Sequence, residues 1–199
     1  MGLQKIIDYK SVLISFIAVF AIFLLQEASA QQKDQLVRMA KLLIDSSQVN
    51  TYQSMLYEEI EASIRVEPGV LTLYAVAEIG KPQHITIFET YANQDAYKTH
   101  LETPHFKKYK TGTQAMVKSL ELVQMNSIIF RKKNADLIKE KKIIVQIAKL
   151  QIAPNQLASY QRILKKGIET AIKKESGVLA FYAVVEKDKP THIHFRNLR

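Results

Sequence analysis

The chain has 199 residues, a formal net charge of +9, no cysteine and no tryptophan. Without cysteine it can hold neither a disulfide nor a lipid on an N-terminal thiol. Its six glycines form no phosphate loop, nucleophile elbow or dinucleotide fingerprint, which speaks against a nucleotide cofactor. The basic clusters at Lys107-Lys108, Arg131-Lys132-Lys133, Lys139 to Lys142 and Lys173-Lys174 are scattered and lack interleaved aromatics, so they read as solvated surface and no nucleic-acid partner is predicted.

In chain order, Lys5 and Lys10 precede the uncharged apolar run Ser11 to Leu25, and Ala28-Ser29-Ala30 follows it. That pattern predicts a signal peptide over residues 1–30 and an exported protein, periplasmic or secreted. The run is shorter than the roughly 20 residues of a spanning helix, so a membrane enters only through an uncleaved signal anchor. Leu36 to Ile44 is a mostly apolar run that predicts a buried strand. Ser46 or Ser47 can cap the next helix, in which Val49, Tyr52, Leu56, Ile60 and Ile64 recur at helical spacing until Pro68-Gly69 stops it.

Val70 to Glu78 and His84 to Tyr91 predict a hairpin around Gly80-Lys81-Pro82. Asn93 caps a short helix through Leu101, Thr103 caps another with Pro104 at its first position, and Ser119 to Phe130 predicts a last strand. The order strand, helix, strand, strand, helices, strand is an α+β, ferredoxin-like split βαβ arrangement with one sheet face uncovered. Along the second strand Leu71, Leu73, Ala75 and Ala77 suit the helix layer, whereas Thr72, Tyr74, Val76 and Glu78 suit the open face.

This unit is written twice. Leu36 to Tyr91 aligns without a gap onto Ile144 to Arg199, with 24 identities in 56 pairs, among them Tyr74 with Tyr182 and His84 with His192. The domains are therefore 31–131, a charged linker over 132–142, and a shortened second copy over 143–199. That copy follows the first as far as Phe195 and then ends in Arg196-Asn197-Leu198-Arg199, without the short helices and the closing strand. A single-base frameshift after Phe195 would produce this ending. A copy in that form exposes a sheet edge and should be marginal alone. The two copies then pair within the chain as a pseudo-dimer, or the first copy recruits another chain as a homo-oligomer.

Glu67-Pro68-Gly69-Val70-Leu71, then Ile87-Phe88-Glu89-Thr90-Tyr91, then Ala96, His100 and Thr103-Pro104-His105-Phe106 give the first copy its resemblance to the antibiotic biosynthesis monooxygenase (ABM) family. The resemblance spans about Gln35 to Phe130. It implies a dimeric α+β barrel and oxygenation of a quinol-like or enolisable aromatic small molecule by molecular oxygen, with no metal or flavin cofactor. It also implies a pocket that gathers Tyr74, Phe88 and Tyr91 for substrate binding, with His100 and His105 as catalytic bases. Tyr91 stands where many members carry tryptophan, which argues against haem degradation. Glu89 matches a family position and could equally pair with a surface lysine. An isomerase or other proton-transfer enzyme, or a non-catalytic ligand-binding module related to stress, remains open on the same fold. Metal is not predicted: His192 and His194 share a strand face, but no carboxylate or cysteine completes a site.

Overall fold

Alternating apolar residues in the strands and apolar stripes on the helices oblige each element to bury one side. The computed structural model shows how this is done for residues 35–133 and 144–198. The first copy consists of β1 (Leu36–Ile44), α1 (Val49–Val66), β2 (Val70–Glu78), β3 (Lys81–Tyr91), α2 (Gln94–Glu102), α3 (Pro104–Thr113) and β4 (Val117–Lys132). The second consists of β5 (Ile144–Gln151), α4 (Leu157–Lys174), β6 (Val178–Glu186) and β7 (Thr191–Leu198). All seven strands form one antiparallel sheet in the order β2-β3-β1-β4-β6-β7-β5. The first four strands have the ferredoxin-like order, and the fold class matches the sequence expectation. β4 outgrows its own copy, pairing with β1 through Met125 and with β6 as far as Lys132.

The two faces of the sheet bury different things. On one face α1, α2 and α3 cover Leu36, Ala40, Leu42, Leu73, Ile85, Ile87 and Tyr91. On the other the copies meet through Val37, Met39, Phe88, Met125, Tyr182, Val184 and Phe195, with Tyr74 and Phe130 against them. Equivalent residues touch across this interior: Phe88 and Phe195 have ring centroids 4.7 Å apart, and Tyr74 and Tyr182 lie at 6.1 Å. Phe88 and Phe195 are fully buried, and burial of one such ring contributes roughly 1.5–3 kcal/mol. The pairing is therefore made within the chain.

The centre between the copies is filled by these aromatic side chains, which corrects the expectation that Tyr74 and Phe88 line a substrate pocket. What remains is a cleft of about 850 Å³ between the free edges of β2 and β5, lined by Ala75 to Ile79, His84 to Thr86 and Ile144, Val145 and Ile147.

Local details depart from the sequence reading in three places. Asp45, not Ser46 or Ser47, is the helical cap: its carboxylate accepts from the Ser47 amide of a single 3-10 turn that precedes α1. β4 runs through Lys132, the first residue of the expected linker. The gapless repeat holds to β6 but slips by one residue at the β6–β7 turn, since Tyr74 pairs with Phe88 and Tyr182 with Phe195. His192 is thus the counterpart of Ile85 and not of His84, and unlike exposed His84 it is buried. The predicted signal peptide and residues 134–143 of the linker lie outside the described residues. No helix among the described residues is long and apolar enough to cross a membrane.

Candidate active site

Glu67 occupies the joint between α1 and β2. Its amide closes the last turn of α1 on the Ser63 carbonyl, and its own carbonyl accepts from Val70. Gly69 follows because α2 comes too close for a side chain: a Cβ there would stand 2.6 Å from Ala96 Cβ. Asn93 caps α2 by accepting from the Ala96 amide, and Thr103 caps α3 by accepting from Phe106, as the sequence indicated. These two short helices present His100 and His105 to the α1–β2 joint.

There one oxygen of Glu67 takes both imidazoles, His105 Nε2 at 2.6 Å and His100 Nδ1 at 3.0 Å. A carboxylate has only lone pairs to offer, so both of these nitrogens donate, and each neutral ring keeps its lone pair on the other nitrogen. His100 turns Nε2 toward Glu59 Oε1 at 3.6 Å, and Glu59 accepts from Ser63 Oγ at 2.8 Å. Burial pushes the Glu59 carboxyl up, partly offset by the Ser63 bond. At Glu67 burial acts in the same direction, but the bonds from His105 and His100 outweigh it and hold the carboxyl below the usual range. His100 is 3% exposed and His105 19%. His105 is therefore the member of the cluster that a small molecule can reach, and His100 supports it from inside.

Tyr91 lies beside this cluster, its ring 5.3 Å from His100 and 5.2 Å from Tyr97. Its hydroxyl donates to Glu89 at 3.1 Å. Burial raises the Glu89 carboxyl, against the opposing pull of Arg38 and of the Tyr91 bond. Glu89 faces Arg38 across the β1–β3 ladder, so its place is under the helices and not opposite a surface lysine. Behind His100, Tyr52 and Tyr109 share a 2.5 Å hydroxyl contact, and burial drives the Tyr109 phenol up to about 12.

Of the residues singled out from sequence, Tyr91, His100 and His105 do come together, whereas Tyr74 and Phe88 do not. Those two rings lie on the opposite face of the sheet, in the packed interior between the copies. Strand parity is the reason, because Phe88 and Tyr91 are three residues apart on β3 and must point to opposite faces. The partners Glu59, Ser63, Glu67, Arg38 and Tyr97 were not assigned roles from sequence, although Glu67 stood in the quoted motif. Glu67, His100 and His105 also place three ligand-type atoms within 4.8 Å of one another. That N₂O set is one a divalent metal could use, but the 2.6 Å hydrogen bond leaves no space for an ion unless Glu67 swings back.

The family model for antibiotic biosynthesis monooxygenases matches residues 36–112. A Bacteroides thetaiotaomicron protein assigned as an antibiotic biosynthesis monooxygenase is 53% identical, over 47% of this chain and 89% of its own, with a TM-score of 0.46. The chain belongs to the ABM family. Family membership rests on that sequence identity and on the model match. Structures assigned as monooxygenases from Lactobacillus acidophilus (15% identity, 83% of this chain and 76% of that one, TM-score 0.75) and Fusobacterium nucleatum (18%, 82% and 75%, 0.73) share the fold over most of this chain. No curated protein matches the chain.

Proposed function

We propose that this ABM protein is an exported monooxygenase that oxygenates a quinol-like or enolisable aromatic without a metal or flavin, using His105 as base and Glu67 as the carboxylate that orients it. The 2.6 Å bond from His105 Nε2 to part-buried Glu67 carries this reading. It fixes the ring and leaves the Nδ1 lone pair as proton acceptor, the same division of labour as in a base held by a third group. Removal of a proton turns the substrate into an electron-rich anion that molecular oxygen can oxidise. A ring C–H is then replaced by C–O: one oxygen atom stays on carbon as a carbonyl, and the other leaves as water with the two hydrogens the substrate gave up. Tyr97 supplies a flat wall backed by the buried Tyr91 ring, and His100 holds Glu67 from behind.

Oxygen uptake with a panel of hydroquinones tests the reading, comparing wild type with His105→Ala and Glu67→Gln. Loss of a general base costs about 10²–10⁴-fold in rate, so uptake should nearly vanish in His105→Ala and fall in Glu67→Gln. A folded wild type with no uptake above background would remove the oxygenase claim. Uptake unchanged from wild type in both variants would remove these residues from it. Substrate isomerisation without oxygen would turn the assignment to proton-transfer chemistry on the same residues.

A further inference from the structure

A groove of about 370 Å³ opens on the helix side of the sheet, between α2 and strands β1 and β4. It is lined by Leu36, Arg38, Gln94, Tyr97, Leu122 and Gln124. We propose that this groove binds an aromatic ring bearing a carboxylate, with Arg38 as the residue that selects for the acid. The inference rests on the aromatic substrate class assigned above and adds the charge that substrate must carry.

The volume lies at the small end of ligand sites, enough for a single substituted ring and little more. Its walls are the Tyr97 ring and the Leu122 side chain, which is 53% exposed although it points from a strand of the main sheet. Apolar walls of this kind recognise a flat ring, but they do not distinguish one ring from another. Arg38 does. Its guanidinium carbon stands 4.2 Å over the Tyr97 centroid, a stacking that fixes a side chain otherwise free to wander. In the strand ladders Arg38 is flanked by Gln124 of β4 and by Glu89 of β3. Glu89 is turned into the layer beneath the helices and shares its carboxylate with the Tyr91 hydroxyl. A fixed guanidinium at one side of a half-polar groove, with the Gln94 and Gln124 amides beside it, matches a carboxylate in charge and in hydrogen-bonding geometry. The second copy offers no such feature, because Gln146 stands where Arg38 does in the first.

Calorimetric titration of the full chain with a dihydroxybenzoate and, separately, with uncharged hydroquinone tests this without any turnover. Charge-assisted bonds are about twice as strong as neutral ones, so the acid should bind wild type about tenfold or more tightly than hydroquinone. Arg38→Gln should erase that preference, weakening the acid by about tenfold more than it weakens hydroquinone. Gln124→Glu, at an exposed strand position, places a carboxylate opposite Arg38 and should weaken the acid alone, which covers the case in which Arg38→Gln does not fold. Equal binding of acid and hydroquinone to wild type, or a preference that survives both variants, would overturn the proposal. Failure of oxygen uptake with intact acid binding would count against the oxygenase reading and not against this one.

Discussion

The same repeat meets two fates in this molecule. In the first copy Glu67 collects two histidines. Its counterpart Glu175 instead pairs with Arg196, the residue that takes the place of Glu89. Glu59 is matched by Gly167 and Ser63 by Ala171, so the carboxylate and hydroxyl behind His100 have no equivalents either. What the copies share is the set of positions that build the sheet: Tyr74 and Tyr182, Val76 and Val184, Phe88 and Phe195. Between the copies, the positions that pack them together agree, whereas the carboxylates proposed for the site stand among different neighbours. The second copy serves as the wall that buries the open face of the first.

Strands β1 and β5 sharpen the point. β1 is hydrogen-bonded on both sides and lies under α1, with Val37 and Met39 buried between the copies. β5 repeats its sequence, yet it is the sheet's edge, and Ile147, the match of Met39, is 43% exposed. Met39→Ala should therefore cost about 2–5 kcal/mol in denaturant unfolding, whereas Ile147→Ala should cost less than about 1 kcal/mol. Similar losses at both sites would mean that β5 is covered in solution.

A smaller difference separates the two glutamates. Glu67 has its carboxyl lowered in the fold, so its contribution is complete above the ordinary glutamate range and is lost as pH falls through the lowered value. Glu67→Gln should flatten the drop in melting temperature on acidification. Glu59, raised by burial, has the opposite sign, and Glu59→Gln should remove a loss of stability that grows as pH rises past the ordinary range. Thermal melts between acid and neutral pH read both.

The least effect belongs to the surface. Lys41 and Glu121 form a 3.0 Å pair across β1 and β4, both well exposed. Lys41→Ala should change stability by no more than about 1 kcal/mol and less in high salt.

Much of the frame was legible because it depends on local chemistry. β1 and β2 have the bounds that their apolar runs indicated, and Asn93 and Thr103 cap the helices that follow them. Asp45 was overlooked because two serines beside it are equally good caps by type. The site was legible only in pieces. His100 and His105 stand out by residue type, but their meeting at Glu67 depends on how α2 and α3 fold back over the α1–β2 joint, a contact between residues more than thirty positions apart. Arg38 is hidden for a similar reason, since only the docking of α2 brings Tyr97 against it. Tyr74 and Phe88 were within reach of strand parity, which sets them against Tyr91. Their pairing with it came from the family resemblance, and the alternation of β3 argues otherwise.

The claim that chemistry belongs to the first copy alone has a direct test in oxygen uptake by His105→Ala and His194→Ala measured side by side. His194 is also a partly buried histidine in a polar pair, bonded to Tyr160 at 2.5 Å, but in the second copy. Uptake should fall by about 10²-fold or more in His105→Ala and stay at the wild-type rate in His194→Ala. Loss in His194→Ala with activity retained in His105→Ala would contradict the account.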